Sequence, residues 1–502
     1  MNVLRAAALC LLTAPPALSQ PAFEDHSANI PTHSYAGGWE HFVGGGVAVF
    51  DCNGDGLPEI LAAGGDNPMI LLKNLGNFAF TRAAFEPITG ATGAYPLDID
   101  GDGWQDLYIL RAGADRLLRG GPDCSFGAFS PALFPQPEER WSTAFTAWWE
   151  GDALPVLAIG HYVDRDAEDG PFGACDDNLI LRPGPDDGRN TGPIGYTSEL
   201  LSPGYCALSM MATTNAAGRQ GLRISNDRHY YLRNGHEQMW DIEQRRFLGP
   251  DDGWPHISLW GMGIASRDLT GDGRDEVLLT SMGDQVMMVA QDDGSYAPAP
   301  FTIGTYAQRP FFGDDGRPST GWHAQFGDIN NDGLPDLFIA KGNVDQMPGN
   351  AIHDPNNMLV QLPDGTFTEH ALTAGIATTE RSRGAALADF DGDGRLDLVV
   401  INRRAPMELY RNVTPDAGNW LAVSLVQPDA NRDAIGARVT VLAGDLTQVQ
   451  ERVIGGGHAG GQNLPLHFGL GAAAQVQITV AWPDGRVTTA MSPANRHVTL
   501  SR

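Results

Sequence analysis

Lysine is almost missing from this chain of 502 residues, occurring only at positions 73 and 341. Basic residues number 33 against 61 acidic ones, a formal net charge of −28. That sign of charge repels phosphate backbones and anionic lipid, so nucleic acid and anionic membrane surfaces are excluded as partners. No helical periodicity of useful length follows the N-terminus, which excludes helical bundles and leaves β-structure. Beyond the first residues no segment is apolar enough to span a bilayer. There is no C-x-x-C or His/Cys zinc spacing. Nor is there a G-x-S-x-G elbow, an H-E-x-x-H pair or a phosphate-cradling loop.

The N-terminal stretch "MNVLRAAALCLLTAPPALSQ" has one arginine, a short apolar run and small residues before Ser19-Gln20. It reads as a secretory signal over residues 1–19, and a secreted or periplasmic protein follows from it. A lipoprotein reading through Cys10 fits poorly, because too few apolar residues precede it. Cleavage leaves Cys52, Cys124, Cys175 and Cys206. In an exported protein an even count points to disulfides. Cys175 and Cys206 bracket a Gly/Pro-rich insertion and are expected to staple it. Cys52 and Cys124 would then pin the first two repeats, with free buried thiols as the alternative.

What the chain does have is crowded aspartate. "DFDGDGRLDLVV" places Asp389, Asp391, Asp393 and Asp397 at positions 1, 3, 5 and 9, with Gly394 at position 6. Oxygens at 1, 3 and 5 converge when the chain curls, and glycine at 6 permits the turn. Hard cations such as Ca²⁺ collect six to eight oxygens in this way. An EF-hand would place its last carboxylate at position 12 between helices. Here the last one opens a β-strand. The pattern recurs as Asp51, Asn53, Asp55 and Glu59; as Asp98, Asp100, Asp102 and Asp106; as Asp268, Thr270, Asp272 and Glu276; and as Asp328, Asn330, Asp332 and Asp336. Five loops imply up to five Ca²⁺ ions, with the Thr270 loop the weakest because a neutral hydroxyl stands at position 3.

Two worn copies, starting near Trp148 and Thr213, bring the number of units to seven, each about 47 to 65 residues long. After every loop comes an apolar strand and a turn, as in "MILLKNLGNFAF" and "MLVQLPDGTFTEH". Four antiparallel strands per unit, repeated around an axis, make a β-propeller. The seventh unit lacks an outer strand, and the segment near Phe23 resembles it. That segment is therefore expected to close the ring.

These loops resemble FG-GAP/VCBS repeats of the integrin-α-like kind. The tail from about Gly418 resembles the ASPIC/UnbV domain: "NWLAVSLV", "NRDAIGARVTVLAG", "GGGHAGGQNLPLHFGLG" and "VAWPDGRV" follow its marks in order. Together they resemble bacterial relatives of the cartilage acidic protein family. The resemblance implies an all-β chain, with a seven-bladed propeller over 20–417 and a small β-sandwich-like ASPIC/UnbV domain over 418–502. It also implies an extracellular calcium-binding or adhesion-type protein without an established reaction. "GHAGG" stands where that family commonly carries an aromatic residue.

The reading is an exported, calcium-binding scaffold for a protein or glycan ligand, non-catalytic. The alternative is a polysaccharide lyase or hydrolase working near blades 3 and 4. There His161-Tyr162 and His229-Tyr230-Tyr231 could act as acid and base, and Trp148 and Trp149 could stack on a sugar. Blade packing is the competing explanation for both sets.

Overall fold

The structure is a computed structural model. It describes residues 19–502 apart from 131–132, 136, 152–153, 169–172, 185–194, 228–231, 233, 307–316, 345–346 and 429. The signal segment, Asp152 and the His229-Tyr230-Tyr231 cluster lie outside the described residues.

Seven antiparallel blades form the first body. Blade 1 consists of Val47–Phe50, Glu59–Ala62, Ile70–Asn74 and Phe80–Arg82. The innermost strands of blades 2 to 6 are Ala91–Leu97, Glu139–Trp148, Ala207–Thr214, Gly261–Arg267 and Gly321–Gly327. Blade 7 has Ser382–Ala388, Asp397–Asn402 and Glu408–Asn412 from its own unit, and Phe23–Asp25 as its outer strand. The expected closure is therefore present, with Phe23 opposite Asn412, Glu24 opposite Arg411 and Asp25 opposite Tyr410. The only α-helix among the described residues is the four-residue Ala371–Ala374.

Apolar strands on both sides of each loop are buried because the core lies between neighbouring blades. Ala144, Trp148, Val156 and Ala158 of blade 3 pack against Ala207, Met210, Leu222 and Ile224 of blade 4. Trp148 is 2% exposed, so it is packing material and not a sugar platform. Two disulfides staple the first half. Cys52–Cys124 joins the blade 1 loop to blade 2, and Cys175–Cys206 closes the insertion, as expected.

The second body is a β-sandwich. Asn419–Val426 pairs with Leu466–Gly471 and Arg496–Ser501, while Arg438–Ala443 lies between Leu446–Glu451 and Gln475–Ala481, with Val487–Pro493 outside. Alternating residues of both sheets, including Leu421, Val423, Val439, Phe468 and Ile478, make its core.

Removing residues 20–30 strips blade 7 of its outer strand and exposes a free edge. The truncated protein is expected to aggregate or to melt without cooperativity in scanning calorimetry. A soluble, equally stable truncation would show that this pairing contributes nothing.

Candidate metal centres and the plugged channel

The five intact loops share one wrap. The position 1 carboxylate accepts the N–H of the position 6 glycine at 2.7–2.9 Å in all of them: Gly56, Gly103, Gly273, Gly333 and Gly394. Those glycines have φ between 84° and 95°, a region closed to most side chains. One oxygen of Asp55, Asp102, Asp272, Asp332 and Asp393 accepts the N–H two residues on. Asn53, Asp100, Asn330 and Asp391 at position 3 do the same for the position 5 N–H.

The position 9 group has a second task. Glu59, Asp106, Glu276, Asp336 and Asp397 each accept the N–H of position 2, across the mouth of the loop, at 2.8–3.0 Å. The other oxygen of Asp106, Asp336 and Asp397 accepts an N–H from the third strand, from Gly120, Gln361 and Asn412. This carboxylate therefore clamps the blade whether or not an ion is bound. In the two loops with glutamate, Glu59 Oε1 and Glu276 Oε1 are buried with no hydrogen-bond partner.

Oxygen-only donors around orphaned, buried carboxylate oxygens suit a hard divalent cation. Asp98, Asp100 and Asp106, and likewise Asp389, Asp391 and Asp397, each bring three ligand atoms within 4.8 Å of one another. Burial, with the neighbouring carboxylates adding to it, raises these groups. Glu59 and Asp98 move up to about 7, Asp106 to about 8, Glu276 to about 7 and Asp389 to about 6. Asp328, Asp336 and Asp397 are pushed well above the usual carboxylate range for the same reason.

The loops differ in what stands opposite them. The residue after the third-strand partner of position 10 is Lys73, Arg119, Val289, Val360 and Arg411 in blades 1, 2, 5, 6 and 7. Arg119 spans Asp100 and Asp102, each at 2.5 Å. Arg411 reaches Asp391 at 2.6 Å and Asp393 at 3.4 Å. Blade 6 has valine there, and its Asp332 is met by the Asn330 amide instead.

The worn copy in blade 4 is not a vestigial turn. Thr213 and Thr214, where blade 4 lost its acids, are held by Glu451 of the second body. Its carboxylate accepts from Thr213 Oγ1 at 3.0 Å and from Thr214 N at 3.0 Å. The loop face is thus the docking face. His467 Nε2 donates to Gly394 O at 3.0 Å, Gly471 N to Asn331 O at 2.8 Å, and Arg438 to Gly273 O at 2.7 Å. Leu446 packs so close to Gly333 that a Cβ there would lie 2.2 Å from it.

From this face the segment "GGGHAGGQN" enters the propeller's centre. Gly456 N donates to Met210 O, Gly457 N to Ile264 O, and Gly461 N to Ala94 O, all on innermost strands, at 2.7–3.0 Å. A Cβ at Gly46 or Gly93 would meet Ala459 O at 1.8 or 1.6 Å, so only glycine admits the plug there. His458 is its tip. Nε2 accepts from Gly44 N at 3.0 Å, and Nδ1 donates to Met262 O at 3.2 Å. From the other end Trp39 and Phe42 pack edge-on against Trp141. Sequence reasoning marked "GHAGG" as a departure from the family's usual aromatic residue but gave it no place in the propeller. The available signal was the match between that glycine run and the glycines on inner strands.

Of the residues proposed for polysaccharide chemistry, Trp148, His161 and Tyr162 are withdrawn from solvent. His161 is 2% exposed, with Nδ1 against Asp177 O, and burial lowers it to about 4. Tyr162 is fully buried and packs on Trp141. Neither can touch a substrate at this face, and Trp149 packs against the core between blades 2 and 3.

A β-propeller whose loop face carries a plugging β-sandwich is the class these features define. Family comparison agrees: an FG-GAP-like repeat matches residues 51–109, 268–339 and 328–400, and ASPIC and UnbV matches 427–502. The chain therefore carries FG-GAP-like repeats and a C-terminal ASPIC/UnbV domain. It is similar to cartilage acidic protein 1 of Xenopus tropicalis, 24% identical over 511 residues, covering 88% of this chain and 71% of that one. The Homo sapiens protein of the same name is 24% identical over 488 residues, covering 88% and 69%. Among solved structures, the extracellular domain of a putative hybrid two-component system from B. thetaiotaomicron covers 96% of this chain and 60% of its own, at 9% identity and TM-score 0.42. A lectin from Agrocybe aegerita covers 71% and 75%, at 15% identity and TM-score 0.31.

Burial lowers His458 to about 3, so the folded protein keeps it neutral. The unfolded chain takes up that proton near pH 6.5. The stabilisation is complete above pH 6.5 and is lost as pH falls toward 3. Urea midpoints of wild type and His458→Gln should therefore converge on acidification, by up to about 1.4 kcal/mol per pH unit. Parallel pH profiles would show that the tip is not held neutral.

Proposed function

We propose that this protein is an exported binding scaffold whose rigidity depends on calcium. The observation that carries this reading is the shared wrap of five acidic loops on the one face that also seats the second body. Asp51, Asn53, Asp55 and Glu59 would hold one ion. The corresponding residues from Asp98, Asp268, Asp328 and Asp389 onward would hold four more. A bound cation supplies the positive charge that lets the carboxylates stay ionised while buried. Blades 1 and 6 are the tighter sites in this reading, because an asparagine amide and no arginine stands on Asp55 and on Asp332. Blades 2 and 7 set Arg119 and Arg411 in competition with the ion. Two disulfides fit an oxidising compartment, and no helix among the described residues is long and apolar enough to cross a membrane. The ligand class is an extracellular protein or glycan. The scaffold presents a body that the plug has made continuous from propeller to sandwich.

Removing calcium with a chelator is expected to lower the melting temperature by many degrees, with Ca²⁺ restoring it better than Mg²⁺. The pH dependence carries a second signature. Glu59, Asp98, Asp106 and Glu276 have raised values of about 7 to 8. Against about 4 in the unfolded chain, their stabilisation is fully present below about pH 4 and is lost as pH rises to about 8, so the chelated protein should weaken over that range and the calcium-loaded one should not. A melting curve indifferent to chelator would remove the metal from this account.

Ion number is open to native mass spectrometry. The protein should carry up to five ions, and Asp389→Ala with Asp393→Ala should remove one and destabilise blade 7. A count of none, or of seven, would overturn the loop assignment. Binding itself is tested by probing arrays of extracellular proteins and of glycans with the calcium-loaded protein, beside a lyase and hydrolase screen on the same sample. Turnover without retained binding would favour the enzyme alternative.

A further inference from the structure

We propose that the cavity between the two bodies is a binding site for a neutral saccharide. This deepens the scaffold reading and rests on it. The cavity measures about 520 Å³ and lies between the Asn419–Val426 strand and the plug on one side and blades 5, 6, 7 and 1 on the other. Pockets of that size hold small ligands.

Its wall mixes polar and apolar surface. Gln325 and Gln462 face each other with amide contacts of 2.8 and 3.0 Å. Ser424 Oγ and His497 Nε2 stand 2.7 Å apart on adjacent strands of the sandwich. Amides, hydroxyl and imidazole each give and take hydrogen bonds, which is what a ring of hydroxyls requires. Trp420 and Ala422 add apolar surface beside them, suited to the C–H face of a sugar.

The charged groups of the wall are already engaged, Asp51 and Asp389 in the acidic loops of blades 1 and 7 and the others between the two bodies. Glu451 is bound to Thr213, Thr214 and Arg438. Asp433 accepts from Gln105 and Asn463 at 3.0 and 2.6 Å. Arg452 is turned to Leu464 O and the Asn463 side chain. The charge of Arg267 is answered at longer range by Asp275, Asp328 and Asp268. An anionic ligand would have to draw Arg452 from its partners and would meet the carboxylates of Asp51, Asp389, Asp433 and Glu451, whereas a neutral one leaves these arrangements intact.

The test is an array of immobilised neutral, sialylated and sulfated oligosaccharides probed with the full calcium-loaded chain, followed by calorimetric titration of the best neutral binder. Wild type should retain neutral oligosaccharides above the charged ones. Ala422→Trp, which fills the cavity without removing a docking bond, should weaken binding at least tenfold at unchanged melting temperature. If that variant does not fold, Ser424→Ala with His497→Ala tests the same wall, with a three- to tenfold loss expected. Preference for charged glycans, or full binding by the altered-wall protein, overturns the cavity assignment and leaves the scaffold reading standing. No retention of any glycan overturns the cavity assignment too. The protein array then decides separately whether the scaffold reading survives.

Discussion

Everything on the working face depends on an aspartate accepting hydrogen bonds from its own loop. The position 1 carboxylate takes the N–H groups at positions 4 and 6, and the curl that results aims the next carboxylates inward. The position 9 carboxylate then bonds across the loop mouth and to the third strand. Local hydrogen bonds fix the geometry, and like charges are their unavoidable consequence. An ion or an arginine must answer that charge, and blades 2 and 7 show arginine doing so.

The same loops support the second body. Because they lie at one end of every blade, they form a nearly continuous rim, and the sandwich rests on the rim through backbone groups of the loops themselves. Gly273 O, Asn331 O and Gly394 O all accept from it. Any change in loop conformation is therefore felt at the docking face. Where blade 4 has no acids of its own, Glu451 arrives from the sandwich and takes the threonine donors. Loss of a ligand set and gain of a docking contact occur at one place.

The plug couples the centre to the rim. Its glycines bond to innermost strands of several blades, and His458 is held by Gly44 and Met262 with no solvent contact. A channel filled in this way leaves ligands the outer surfaces and the cavity beside the plug. It also explains the small residues of the inner strands, which ring geometry alone would not demand.

The sequence by itself determined the repeat and much of its consequence. Glycine at position 6, the carboxylates and the flanking β-branched runs are local features, and local hydrogen bonding is enough to specify the loop and the blade around it. Pairing of the Phe23 segment with Asn412 was legible because one unit visibly lacked a strand. Only tertiary structure decided the rest. His161 and Tyr162 looked like candidates for chemistry until packing buried them. Glu451 meets Thr213, and Ala459 lies against Gly46 and Gly93, across hundreds of residues with no shared pattern between the partners. Those contacts arise where two surfaces far apart in the chain meet, and a one-dimensional spacing holds no information about which surfaces those are.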